Sequence, residues 1–517
     1  MDDFSGGNLT EYLLGIDIGT SGCKSILING NGEIAGSTLF EYPLSTPKPG
    51  WSEQNPEDWW GAVVKGIRSL ISKTGVTPSS IKALGLSGQM HGLVALDESD
   101  RVIRPAILWN DQRTSKQCDE ITEKAGGLKG LLSYTNNRML PGYTGGKILW
   151  LKEEEPENYD RMKYFLNPKD YIRFRLTGVR ATEVSDASGT GLFNVKKRDW
   201  ARKLISKLGM NMSIFPVCYE SGEVSGKVAS EVSELTGLPK GLPVVGGGGD
   251  AVIQTTGMGL IKSGVMGTII GTSGIVAMGL EGYMDNPEGL LQVFCNNTPS
   301  TWHAMGVTLN AGGTYRWFRD AMAQWEMSES EKSKRDVYEI LDELAASVPP
   351  GSNKLLFLPY LIGERCPYTD PAARGAFIGL GLHHGKGEIV RSILEGVVFS
   401  LMDVYKLMKR MGIEVIEIRT SGGGSLSPLW RQIQADVFQA PVVTVSGSGE
   451  GGAYGAALVA GAGVGVWSSV EEAVMVLKKE SENLPNPSNR KIYKEMYDIY
   501  HNLYGALKPT FDALYKL

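Results

Sequence analysis

Cysteine is sparse and unpatterned: Cys23, Cys118, Cys218, Cys295 and Cys366 are odd in number, far apart and without CxxC spacing. That excludes a disulfide framework or a zinc knuckle and fits reduced thiols in a cytosol. The five histidines form no HExxH pattern, and His383-His384 reads as loop. No lysine or arginine cluster stands out and the formal net charge is -5, so neither nucleic acid nor a membrane surface is an expected partner. An anionic ligand would then be held by backbone N–H groups, helix ends and a metal ion. Met1–Thr10 is polar and lacks the basic and apolar regions of a signal peptide. Gly451–Trp467 is dominated by glycine and alanine, is too short for a bilayer span and reads as a buried helix with small side chains. The expectation is a soluble, cytoplasmic protein.

What is present is length and glycine. A chain of 517 residues exceeds one compact core, and its 66 glycines cluster in short runs that suit tight turns and close backbone approaches. Tyr12–Tyr42 reads as three successive strands, and Asn55, Pro56, Glu57 and Asp58 form the start of a helix. Ile389, Ile393, Val397 and Leu401 mark the buried stripe of a long helix over about 388–411, and another helix runs through Trp430 to Phe438. Ile18-Gly19-Thr20-Ser21-Gly22 returns as Ile270-Gly271-Thr272-Ser273-Gly274, each copy between apolar strands. This repeat predicts two similar domains divided near residue 240.

Several residues invite chemistry. Gly19–Gly22, Gly271–Gly274 and Gly422–Gly424 each follow a strand and could cradle phosphates, or be ordinary turns; none fits GxxxxGK[ST]. Gly447–Gly452 matches GxGxxG, but no acidic strand end follows, so it reads as a loop entering a packed helix. Asp17 lies in an apolar strand and needs compensation, either from Lys24 or from a water-bridged Mg2+ ion. Asp250 follows Gly246–Gly249 at the start of a helix; it is an N-cap or the acceptor for a hydroxyl proton in phosphoryl transfer. Gln89-Met90-His91 and Trp109-Asn110-Asp111 follow apolar runs, at strand ends where α/β folds bind ligands.

Together these residues resemble the FGGY family of carbohydrate kinases, and within it the xylulokinase branch. The resemblance rests on Gly15–Ser21, Trp51–Glu57, Gly88–Gly92, Leu108–Arg113, Pro168–Tyr171 and Ser185–Thr190. Two signatures add to it, one from Gly142 through Lys147 to Glu154, the other from Gly375 through Glu388 to Glu395. It implies an α/β protein of two actin/hexokinase-like (ribonuclease H-like) domains with a central ATP cleft. Residues 1–240 would carry the sugar site and the first phosphate hairpin; residues 241–517 would carry the catalytic base and the adenosine site. By the same resemblance Asp250 is the base and Asp17 supports Mg-ATP. Gly19, Thr20, Ser21, Gly271, Thr272 and Ser273 face phosphates, and Gly423, Gly424 and Ser427 lie near adenosine. Met90 and His91 contact the sugar, with Trp109, Asn110 and Asp111 nearby. The implied reaction is ATP-dependent phosphorylation of a terminal hydroxyl of a small sugar, a ketopentose such as D-xylulose. The alternatives are another ketose or polyol, or a sugar-sensing protein that has lost the chemistry. The implied partners are the sugar and ATP, and a homodimer is compatible with them. Three positions depart from the family pattern: Ala251, where an amide commonly follows the base, Gly145-Gly146 in place of Ala-Pro, and Cys366 in place of threonine.

Overall fold

A computed structural model of the chain describes residues 11–517; the polar segment Met1–Thr10 lies outside the described residues. The chain forms two compact units, each assembled from separated stretches of sequence. Among the described residues the first comprises 11–261, Leu280–His303 and Glu450–Lys478, and the second Lys262–Gly279, Ala304–Gly449 and Lys479–Leu517.

The three expected strands of the first unit are β1 (Tyr12–Ile18), β2 (Gly22–Asn29) and β3 (Ile34–Glu41). With β4 (Ile81–Gly88), β5 (Val224–Lys227) and β6 (Pro243–Val245) they build a sheet in the order β5-β6-β4-β1-β2-β3, and β7 (Gly248–Gly249) pairs β4. Because side chains alternate across a strand, β1 serves two cores. Leu14, Ile16 and Ile18 join Trp59, Val63 and Ile67 of the Pro56–Thr74 helix on one face. Asn55 caps that helix, as its sequence predicts, accepting a bond from the Glu57 N–H at 3.2 Å.

Leu13 and Gly15 face the other way, against the Gly452–Gly463 helix. The approach there is backbone to backbone: a Cβ on Gly15 would come within 1.9 Å of the Ala453 carbonyl, and one on Gly85 within 2.0 Å of the Ala456 carbonyl. Small side chains are thus what lets this helix lie on two neighbouring strands.

The sheet of the second unit is made by β8 (Val265–Ile270), β9 (Gly274–Leu280), β10 (Trp302–Thr308), β11 (Glu417–Ser421), β12 (Val442–Val445) and β13 (Lys479–Asn483), with only the ends Leu280 and Trp302-His303 of these strands belonging to the first unit; the spatial order is β10-β9-β8-β11-β12-β13. The internal repeat is thereby explained. In each unit the first strand pairs antiparallel with its successor across a Gly-Thr-Ser-Gly turn and parallel with a later strand, β1 with β2 and β4, β8 with β9 and β11. The long helix spans Lys386–Arg410 and is buried through its middle.

The division near 240 differs from the observed one. β6 and β7 pair with β4, and a Cβ on Gly455 would meet the Ile253 carbonyl at 2.0 Å. These contacts hold the chain in the first unit as far as Ile261, so Asp250 belongs there and not with the second half.

Candidate active site

The run Gly246–Gly249 delivers Asp250 to the first turn of the Asp250–Gly257 helix. Its position corrects the N-cap alternative: Gly249 is the cap and Asp250 the first helical residue. The Asp250 carboxylate accepts the Ala251 N–H at 2.7 Å. Burial, and then the negative charge of Asp17, push its pKa up to about 7, partly offset by the backbone N–H groups of Ala251 and Met90. A carboxyl titrating there exchanges protons at neutral pH.

Asp17 also has a raised pKa, from burial first. Lys24, its cross-strand neighbour, ion-pairs Glu450 at 2.6 Å, and its charge still draws the Asp17 pKa down, after the Ser87 hydrogen bond. The Ser87 hydroxyl donates to Asp17 Oδ1 at 2.6 Å. Gly452, which opens a helix, lies so near that its Cβ would be 3.0 Å from Oδ1, placing the carboxylate at the positive end of the helix dipole. A partly accessible carboxylate with one oxygen bound to Ser87, flanked by glycines at 19 and 452, fits a hard, water-bridged cation such as Mg2+.

β4 ends at Gly88, and Met90 and His91 follow. Met90 is buried, and His91 has φ 70°. The imidazole stacks on Tyr143 at 4.5 Å between centroids, and its Nδ1 lies 2.5 Å from the Gly189 carbonyl oxygen. Gly189 makes room for both residues, since a Cβ there would lie 2.6 Å from Met90 Cε and 2.8 Å from His91 Cε1. Lys147 holds the turn from beneath, donating to the carbonyls of His91 and Gly142 at 2.7 and 2.6 Å; burial lowers its pKa to about 7.

Trp109 is exposed, and its Nε1 donates to Thr20 Oγ1 at 2.9 Å. Asn110 Oδ1 is buried with no hydrogen-bond partner among the described residues, so it has an acceptor to offer. Asp111 departs from the expectation of a sugar-site residue. It is fully buried, and its oxygens are taken by the Ser52 N–H at 2.6 Å and by the Arg113 guanidinium at 2.7 and 2.9 Å. It anchors the loop.

The hairpin Gly19–Ser21 is pinned from behind: Gln54 donates to the Thr20 carbonyl at 2.8 Å and Tyr42 to that of Gly19 at 2.5 Å. In the second unit Gly271, Thr272, Gly423, Gly424 and Ser427 line a cleft of about 1030 Å3. Ser273 closes its turn, accepting the Gly271 N–H at 3.0 Å. Tyr315 and Trp430 form part of the apolar wall, and Arg316 donates to Thr272 Oγ1 at 2.6 Å. Sequence reading missed Arg316, Tyr143 and Gly189. Arg316 stands on a helix with no motif of its own, and Gly189 lay inside a recognised segment whose part in the site only the fold discloses.

Residues 12–257 match the N-terminal domain, and residues 266–464 the C-terminal domain, of the FGGY family of carbohydrate kinases. The chain is 38% identical to the xylulose kinase of Bacillus subtilis (strain 168), over 98% of this chain and 99% of that one. It is 31% identical to the gluconokinase of the same organism, over 98% of each. The crystal structure of ligand-bound xylulose kinase from Lactobacillus acidophilus superposes with a TM-score of 0.89 at 27% identity, covering 98% of this chain and all of the other. Among the described residues no helix is long and apolar enough to cross a membrane. The chain belongs to the FGGY family of carbohydrate kinases, enzymes that transfer a phosphoryl group from ATP to a sugar.

Proposed function

We propose that the enzyme phosphorylates a ketopentose, D-xylulose first among them, at its terminal hydroxyl to give xylulose 5-phosphate. The observation that carries the mechanism is the buried Asp250 carboxylate at the end of the glycine run, next to the Met90 N–H and with its pKa pushed up to about 7. On this reading Met90, His91, Trp109 and Asn110 of the first unit bind and orient the sugar. Asp250 accepts the proton as the hydroxyl oxygen attacks the γ-phosphorus and the bond to the β,γ-bridging oxygen breaks. Gly271, Thr272, Gly423, Gly424 and Ser427 of the second unit hold the nucleotide, and Gly19–Ser21 of the first face the phosphates. Asp17 would hold Mg2+, directly or through water; when bound, the ion neutralises phosphate charge. The full-length similarity to xylulose kinases supports the choice of sugar.

Ala251 supports a second reading, in which the acceptor is broader or different. It offers no side-chain hydrogen bond beside the base, and a gluconokinase is also similar over nearly the whole chain. An unmatched buried polar partner costs about 1–3 kcal/mol, enough to move preference among sugars. The experiment is an ADP-release assay with Mg-ATP on D-xylulose, D-ribulose, L-xylulose, L-ribulose, xylitol, glycerol and gluconate, for the wild type and Ala251→Asn. Broad activity that includes D-xylulose is expected, with the variant shifting kcat/KM towards D-xylulose about 10-fold. Activity on gluconate alone would replace the ketopentose, and no ADP release with any acceptor would favour a sensor.

A further inference from the structure

The glycine run that carries the base cannot be held by side chains of its own. A Cβ on Gly246 would meet the Glu220 carbonyl at 2.5 Å, on Gly247 the Leu86 carbonyl at 2.1 Å, on Gly248 Asn297 Nδ2 at 2.4 Å, and on Gly249 Met90 Cγ at 2.6 Å. Only its backbone groups can be gripped, and buried side chains grip them. Arg173 donates to the Gly246 carbonyl, Asn297 Nδ2 to that of Gly247 at 3.4 Å, and the Ser185 hydroxyl accepts the Gly249 N–H at 3.0 Å.

These side chains belong to one fully buried ionic cluster. Lys169 Nζ lies 2.5 Å from Asp170, 3.2 Å from Asp186 and 3.5 Å from Glu183, and Arg173 lies 2.9 Å from Asp170. Glu183 in turn aims Ser185, accepting its N–H at 2.7 Å and its hydroxyl at 2.8 Å, and also takes the Ser221 hydroxyl at 2.9 Å. With its proton committed to Glu183, the Ser185 oxygen is left as an acceptor for Gly249. Buried ion clusters gain little net stability over well-packed apolar residues of the same volume. Stability alone therefore gives no reason for five ionisable groups here, whereas the need to hold a side-chain-free segment does.

We propose that this cluster is a positioning cradle for Asp250, with Ser185 as its contact point: it sets the direction of the carboxylate, and Ser185 touches no substrate. The inference rests on Asp250 being the base. The test is a double-mutant cycle in turnover, with Ser185→Ala, Asp250→Asn and both together, checked by circular dichroism. Ser185→Ala should lower kcat about 10- to 100-fold, the scale of a misdirected catalytic group. KM for ATP and for sugar should stay within about twofold, and the double variant should be no slower than Asp250→Asn beyond about threefold. A merely structural role would not yield that non-additivity. If the two losses multiply, or if Ser185→Ala keeps wild-type kcat, the cradle is wrong while the base stands. Near-normal turnover in Asp250→Asn would instead remove the base, and the cradle with it. If Ser185→Ala does not fold, Asn297→Ala is carried through the same cycle, with the same outcomes deciding.

Discussion

A base that accepts a hydroxyl proton at neutral pH must bind that proton firmly and still be ionised beforehand in a good fraction of molecules. On the proposed reading Asp250, its pKa pushed up to about 7, is set for that compromise by burial and by the Asp17 charge. Asp250→Asn should keep ATP binding and lose turnover by roughly 100-fold or more; equilibrium binding and ADP release together check this. The same shift has a stability cost. An unfolded aspartate titrates near about 4, so the folded protein binds the extra proton between about pH 4 and 7 and loses stability as pH rises through that window. Asparagine has no such term. Asp250→Asn should therefore match the wild type in Tm near pH 4 and exceed it by about 2 °C or more at pH 8, and an equal Tm at both pH values would contradict the shift. Asp17→Asn should demand more magnesium for half-maximal rate; unchanged magnesium dependence with lowered stability would make Asp17 structural. Both carboxylates were legible in the sequence, one by its apolar strand and one by its four glycines. Their environments were not: the cation near Asp17 is bonded to Glu450, over 400 residues away, and Asp111 resembles a site residue until Arg113 and Ser52 are seen to occupy it.

Among the elements, the Gly452–Gly463 helix shows how far pattern alone reaches. Its composition predicts a buried helix with small side chains, and the helix is buried along most of its length. The sheet it covers could not be read from sequence, because alanines and glycines without a polar face carry no directional signal. The fold supplies the partner through Gly15 and Gly85, whose missing Cβ atoms admit the helix backbone. Gly85→Ala should destabilise the first unit by about 1–3 kcal/mol or more, since the clash is with a backbone carbonyl that cannot rotate away. Urea unfolding followed by tryptophan fluorescence measures it; a shift under about 0.5 kcal/mol would mean that the helix yields easily. The hairpins were legible for the opposite reason. Each needs a specific short turn between apolar strands, and that requirement leaves its mark in consecutive residues.

In the whole molecule, the repeat in the sequence is matched by a repeat in strand pairing, yet the units are not simple halves. One core of the first unit draws on Glu450–Lys478, contributed from late in the chain. A fragment ending at Ile261 should therefore leave the Leu13, Ile26 and Ile28 face of its sheet uncovered, bind a hydrophobic dye and unfold without cooperativity. Joining residues 450–478 to it through a flexible linker should restore a cooperative transition; a sharp transition in the short fragment would show that the helix is dispensable. The boundary was misjudged for a related reason. The repeat marks where each strand hairpin lies, not where the first unit ends, and the pairing of Gly248–Gly249 with β4 carries that unit past residue 240. This discontinuity also has a temporal meaning. At about 5–20 residues per second, a ribosome needs roughly 10–40 s to pass from Ile261 to Glu450. Throughout that interval the apolar sheet face of the nascent first unit waits in water for a helix that the ribosome has yet to make.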